Sequence, residues 1–251
     1  MVTFEDLVKG LRDVGIEEGD LLLAQSSYKS FGGVDGGPKT IIEALIHAVG
    51  EEGTLIMPAF SFDFCEGEPW DVRNSPSRMG IITELFRQDP RSCRVFHPIY
   101  SVSVSGKHAE EICSYRYKSS YGPDSVFAKM RELNGKMVFL GVHPNISITF
   151  LHHVEEMIGV DYRYMKEFTG QVTDWDGNTY EDTFTMMVRD IEKGVITDAV
   201  KMGELLDEKV LLKMNKIGEA TVRLFDVNEV FEFTSREIKR DPFLMHRIEK
   251  D

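Results

Sequence analysis

The segment Leu21–Phe60 reads LLLAQSSYKSFGGVDGGPKTIIEALIHAVGEEGTLIMPAF. It decides the fold class. Asp20–Ala24 (DLLLA) is a short apolar run after a Gly-Asp turn, the pattern of a buried strand. Pro38–Val49 carries its apolar residues at helical spacing. Pro38 suits the first turn, where its missing N–H costs nothing, and Gly50 suits the stop. Gly53–Phe60 is a second apolar run, ended by Pro58. Strand, helix and strand in this order predict an α/β fold, a sheet with helices on its faces.

The pattern continues on both sides. Thr3–Val14 spaces Phe4, Leu7, Val8, Leu11 and Val14 as one face of a helix. Ser61–Arg78 has no clear period and mixes aromatic and acidic residues (Phe62, Asp63, Phe64, Glu66, Glu68, Trp70, Asp71). A loop of that length often carries function. Met79–Arg87 reads as a helix, Val102–Val104 as a short strand, Lys136–Val142 as a buried strand and Thr149–Ile158 as a helix. Beyond Gly170 comes strand-like sequence with a turn at Trp175–Asn178. Thr197–Val230 reads as helices and a short strand packed on the sheet. Neither an internal repeat nor a linker interrupts the chain, so residues 1–251 are read as one domain.

Composition narrows the function classes. The chain is 251 residues long, 42% of them hydrophobic, enough for a full core. Its 29 Lys and Arg against 42 Asp and Glu leave a net charge of 29 − 42 = −13. Nucleic-acid binding and anionic membrane surfaces both need a basic face, so neither is expected as a partner. The N-terminal residues show no signal-peptide pattern, and no apolar run reaches the ~20 residues of a membrane span. Cys65, Cys93 and Cys113 are odd in number and widely spaced, fitting neither a disulfide framework nor a CxxC metal site. A cytoplasmic setting is expected.

The chemistry concentrates in Thr149–Glu156, TFLHHVEE. Three-residue spacing puts His152 and Glu155 on one face of a helix, where the carboxylate fixes the imidazole tautomer and raises its basicity. Thr149 is the expected N-cap, which places His152 in the first turn. The bland reading of this pair is a solvated helix face. A metal reading draws on His143, His152, His153, Glu155 and Glu156. Adjacent histidines on a helix diverge by about 100°, however, and the HExxH pattern is missing, so no metal is expected. After the first strand, Ser26 and Ser27 precede Gly32, Gly33, Gly36 and Gly37 at a helix start, where backbone N–H groups can cradle an anion or simply make turns. His97, held extended before Pro98, is a second candidate ligand-facing histidine, with a structural turn as its plain alternative. The serine-hydrolase GxSxG elbow is absent.

Six strings in order resemble the aminoglycoside 3-N-acetyltransferase family: Gln25–Leu45, Glu51–Phe60, Ser75–Arg87, Arg94–Gly106, Tyr121–Met130 and Leu140–Glu156. They span roughly residues 1 to 160; the C-terminal third is less recognisable. The resemblance implies an α/β sandwich with a central mixed β-sheet flanked by helices, distinct from the GNAT fold. It implies acetyl-CoA as donor and an amine of an amino sugar as acceptor. The family pattern T-x-L-H-x-x-E falls on Thr149, Leu151, His152 and Glu155, which selects His152 over His153 as general base. Ser26, Ser27, Gly32, Gly36, Gly37 and Ser125 are the implied coenzyme A contacts. Where the family often has histidine this chain has Gln25, and Val126 replaces a proline. Asp63, Glu66 and His97 are the expected acceptor contacts. Three other readings are carried: transfer to a nucleotide-linked amino sugar, with Arg73, Arg78 and Arg94 near its pyrophosphate; a metal-dependent hydrolase on His143, His152 and His153; and a non-catalytic CoA- or sugar-binding protein. A homo-oligomer is compatible with each.

Overall fold

The first helix starts where the sequence supplies a cap. The Thr3 hydroxyl accepts from the Asp6 amide, and the Asp6 carboxylate accepts from the Thr3 amide. Such a box typically contributes about 1 kcal/mol. A computed structural model describes residues 1–146 and 149–249. In chain order the first half holds α1 (Phe4–Asp13), β1 (Leu21–Ser26), α2 (Pro38–Val49), β2 (Thr54–Pro58), β3 (Trp70–Asp71), α3 (Ile81–Arg87), β4 (Cys93–Arg94), β5 (Val102–Gly106), α4 (Ala109–Ser114) and α5 (Val126–Glu132). The second half holds β6 (Lys136–Leu140), α6 (Thr149–Ile158), β7 (Arg163–Thr173), β8 (Thr179–Arg189), β9 (Val195–Thr197), α7 (Val200–Lys209), β10 (Lys213–Ile217), β11 (Ala220–Asp226), α8 (Val227–Arg240) and β12 (His246–Ile248).

The central sheet runs β10-β11-β6-β1-β2-β5-β4. β1 is parallel to both β2 and β6, while β11 and β5 join antiparallel on the outside. The sheet is therefore mixed, as expected. Period-two alternation gives it two apolar faces. Leu22, Ala24, Leu55 and Val138 pack under α1, α2 and α3. Leu21, Leu23, Ile56 and Phe139 face the opposite side, with Phe127 of α5, Phe150 and Val154 of α6 and Val230 of α8. On α2, Ile41, Ile42, Leu45 and Val49 are buried. Each such side chain contributes ~1.5–3 kcal/mol on leaving water, so packing rather than propensity holds the helix.

A smaller sheet, β3-β7-β8, stands beside the main one. Its hairpin turns at Trp175–Asn178, where the Asp174 carboxylate accepts from the Asp176 and Asn178 amides, both at 3.0 Å. Phe64, Trp70, Phe96, Val172 and Phe184 form its core. Arg94 ties this region to the main sheet. It is 5% exposed and donates to the Ser75 carbonyl (2.5 Å), the Ala59 carbonyl (2.8 Å) and the Ser101 hydroxyl (2.9 Å), with its guanidinium over Trp70. Burial lowers its pKa to about 9.

Two expectations are corrected. Thr197–Val230 supplies two strands of the main sheet, β10 and β11, rather than one short strand lying on it. Cys93 and Cys113 are joined in a disulfide, Cα atoms 6.3 Å apart, leaving Cys65 free. Twenty residues separate them in sequence. β5 brings them together, because β4 pairs with it and α4 folds back on it. Among the described residues no helix is long and apolar enough to cross a membrane.

Candidate active site

The order of β1, β2 and β6 fixes where a site forms. From β1 the chain crosses to β2 on one side, while β6 lies on the other, so β1 is the point where the connections diverge. In open α/β sheets the crevice at the carboxyl ends of such strands is the usual ligand site. Three segments leave the sheet at that end: Ser26–Gly37 after β1, the chain through Ser61–Arg78 after β2, and residues 141–146 after β6. The Ser27 amide bonds the Leu140 carbonyl at 2.9 Å, and the Ser30 side chain lies directly against Gly141. Gly141 has φ +68°, and a Cβ there would coincide with the Ser30 hydroxyl, so only glycine lets the two loops touch.

α6 presents the chemistry. Its first described residue is Thr149, which is helical, so it is not the cap the sequence suggested; the preceding position lies outside the described residues. His152 sits in the first turn and its Nδ1 lies 2.5 Å from Glu155 Oε2. The Glu155 side chain is fully buried, whereas 14% of the His152 side chain is exposed. The Tyr162 hydroxyl donates to the other oxygen, Glu155 Oε1, at 2.7 Å. Arg163 Nε stands 2.9 Å from Glu155 Oε2 as a buried ion pair. Behind Tyr162, the His246 ring is stacked at 3.7 Å, and the Tyr121 ring lies 5.3 Å from that of His152.

Electrostatics follow from this packing. Burial lowers the His152 pKa, the nearby Arg163 cation adds to the effect, and Glu155 opposes it. Burial alone would raise the Glu155 pKa, but His152, Arg163 and the Tyr162 hydroxyl bring it below its ordinary value. At neutral pH the pair is therefore neutral imidazole beside carboxylate. Nδ1–H donates to Glu155, and Nε2, which makes no hydrogen bond among the described residues, is free to accept a proton.

The other candidates are placed differently. His153 is fully buried with Nδ1 on the Tyr121 carbonyl, and burial lowers its pKa to about 4. His143 bonds Asn145 and Asp207. The histidines of the metal reading thus point to separate partners, and among the described residues no three His, Cys, Asp or Glu side chains gather as a metal site. His97 is turned inward rather than toward a ligand: it is 2% exposed, its Nδ1 accepts from the Ile99 and Tyr100 amides, and its ring packs on Phe184. Burial lowers its pKa to about 3. Ser125 caps α5 by accepting from Ala128, and donates to the Gly122 carbonyl at 2.6 Å, so its hydroxyl is already engaged. Gly32, Gly36 and Gly37 all have positive φ in the turn before α2, flanked by exposed Lys29 and Lys39. Ser26 and Ser27 are half-buried at the crevice, Glu66 is exposed, and Asp63 pairs with Arg78 at 2.8 Å.

A family model described as aminoglycoside 3-N-acetyltransferase matches residues 23–239. The chain belongs to this family. It is by membership an acyl-CoA-dependent N-acyltransferase, and the family's donor is acetyl-CoA. Aminoglycoside N(3)-acetyltransferase IV of Salmonella sp is 30% identical over 95% of this chain and 88% of its own length. The crystal structure of aminoglycoside acetyltransferase AAC(3)-Xa superposes with a TM-score of 0.83 at 26% identity, covering 95% of this chain and 93% of that one. A histidine-to-alanine mutant of AAC(3)-IVa in complex with apramycin gives a TM-score of 0.78, also at 26% identity, over 96% and 94% of the two chains. Within the acetyltransferase, the residues that sequence reasoning missed are Tyr162, Arg163 and His246. Only Tyr162 and Arg163 carried a signal: they lie seven and eight positions beyond Glu155, at the start of a strand.

Proposed function

We propose that this acetyltransferase moves the acetyl group of acetyl-CoA to an amine of an amino sugar, as an aminoglycoside N3-acetyltransferase does, with His152 as general base and Glu155 orienting it. The observation that carries the reading is the 2.5 Å contact between His152 and a fully buried Glu155, with the imidazole held neutral. Nε2 takes a proton from the acceptor amine as its nitrogen adds to the thioester carbon. Glu155 stabilises the imidazolium that forms. The tetrahedral adduct collapses with cleavage of the C–S bond, and the imidazolium proton passes to the departing thiolate. No acyl-enzyme forms. General-base catalysis of this kind contributes typically ~10²–10⁴-fold, and co-binding adds a proximity term.

The glycine-rich turn before α2 and the exposed Lys29 and Lys39 suit the donor's phosphates, with Ser26 and Ser27 nearer the thioester. The exposed Glu66, after β2, suits a polycationic acceptor, whereas the charge of the half-buried Asp63 is already matched by Arg78. Apramycin bound to a related acetyltransferase supports that class. A nucleotide-linked acceptor is less well served. Arg94 is spent on backbone carbonyls and Arg78 on Asp63, which leaves Arg73, of these three, for a pyrophosphate. We place the reaction in the cytoplasm, with the donor. The test is thiol release from acetyl-CoA with aminoglycosides, nucleotide-linked amino sugars and simple amines, run beside His152→Ala. Aminoglycoside-dependent release that falls ~10²-fold or more in the variant is expected. Release at the wild-type rate from a folded variant removes His152 from the mechanism.

A further inference from the structure

The buried pair of His152 and Glu155 raises a question of charge. Glu155 is fully buried, and a carboxylate in that position needs a compensating cation. Two are within reach. If His152 supplied it, the pair would rest as imidazolium and carboxylate, and no base would be left to accept a proton. If another group supplies it, His152 stays neutral. Arg163 is that group. Its side chain is 7% exposed, with Nε 2.9 Å from Glu155 Oε2. It is held from behind by the Met187 carbonyl at 3.3 Å and the Thr197 hydroxyl at 3.4 Å.

We propose that Arg163 is a positioning residue of the transfer reaction. As the permanent buried counter-ion of Glu155, it keeps His152 in its neutral, proton-accepting form. The inference rests on His152 being the base. The remaining groups around the pair do not replace Arg163. Tyr162, in the turn just before β7, donates a neutral hydroxyl to Glu155. Tyr121 and Tyr100 face the cluster from the loops before α5 and β5, and both hydroxyls are held protonated by burial. His246 of β12 covers Tyr162, and burial lowers its pKa too. Asp161 is exposed, and a carboxyl group has the wrong sign for this task. An arginine suits this task because it cannot lose its proton in the working pH range, so the charge assignment is fixed.

The variants are Arg163→Met and Arg163→Lys, read as kcat/KM against pH with acetyl-CoA and the best aminoglycoside acceptor. Without the cation, His152 gains protons more readily, and the acidic limb should move up by about one pH unit. The loss is then about tenfold larger below the limb than above it. Arg163→Lys should return the limb most of the way. A rate lowered evenly at all pH, with the limb unmoved, overturns the proposal. The charge state of His152 is also read directly in the wild-type protein from imidazole ¹⁵N shifts. Neutral imidazole protonated on Nδ1 at pH 7 is expected, and imidazolium there overturns the proposal even if neither variant folds. Retained activity in His152→Ala would sink the base assignment instead, and the ¹⁵N comparison of wild type with Arg163→Met would still read what Arg163 does to His152.

Discussion

Glu155 takes three interactions with its two oxygens, from His152, Tyr162 and Arg163. Their effects separate. Tyr162→Phe removes one hydrogen bond and leaves the ion pair and the imidazole contact intact. Its effect should therefore fall on the rate and not on acceptor binding: kcat lower by about tenfold, equivalent to ~1.4 kcal/mol of barrier, with KM for the acceptor unchanged. Steady-state kinetics at saturating acetyl-CoA measure both, and a raised KM at unchanged kcat would remove Tyr162 from the positioning of Glu155. The His152 and Glu155 face was legible in the sequence because both residues lie on one helix, where spacing equals geometry. Tyr162 and Arg163 were not, since the chain turns between α6 and β7 before it returns to the carboxylate. His246 was less legible still, because its stacking on Tyr162 joins positions far apart in sequence. For a related reason the sequence left a ligand-facing and a turn placement of His97 both open, and the ring is buried. An extended backbone before proline says nothing of whether the ring points out or, as here, back into its own turn.

At the scale of elements, Arg94 of β4 fastens the segment that follows β2. It fills acceptors on Ala59, Ser75 and Ser101 from a single buried guanidinium. Arg94→Met has similar bulk but no donor, and each buried acceptor left unpaired costs ~1–3 kcal/mol. The variant should lose about 3 kcal/mol in urea unfolding, and protease should cut first between Ser61 and Arg78. Unchanged stability would show that water replaces the guanidinium at little cost. The elements best read from sequence are those with a strong period and clear punctuation. α2 runs from Pro38 to Val49 as its proline and glycine dictate, and α6 ends at Ile158 as expected. β10 was missed because its residues, KMNKI, are mostly exposed and show no alternation. It is a strand only because β11 offers it a free edge to pair with.

Across the whole molecule, of the histidines whose pKa burial lowers, His97 near Phe184 and His153 beneath α8 are held furthest below the ordinary value. Their folded pKa values, about 3 and about 4, lie below the ordinary 6.5. Between those limits the unfolded chain binds more protons than the folded one. Stability is therefore complete above pH 6.5 and declines as pH falls toward 4, by up to ~1.4 kcal/mol per pH unit for each histidine. Urea midpoints at pH 7, 6 and 5 should show the decline. His153→Gln should make it shallower whatever it does to the stability at pH 7, and an unchanged slope would show that His153 takes up its proton equally in the folded and unfolded states. The α/β class follows from one β–α–β segment, but the way the C-terminal third completes the molecule does not. That third supplies β10 and β11 to the main sheet, and β9 and β12 to a small one beside the site. Tyr162 is covered by His246, which comes ninety-four positions after His152. During synthesis, the helix bearing His152 and Glu155, with Tyr162 and Arg163 directly behind it, leaves the ribosome well before His246, which covers Tyr162. The nascent chain thus carries its His152–Glu155 pair before the cover over Tyr162 is in place, and the finished surroundings of that pair arrive late in translation, not with the first strands of the sheet.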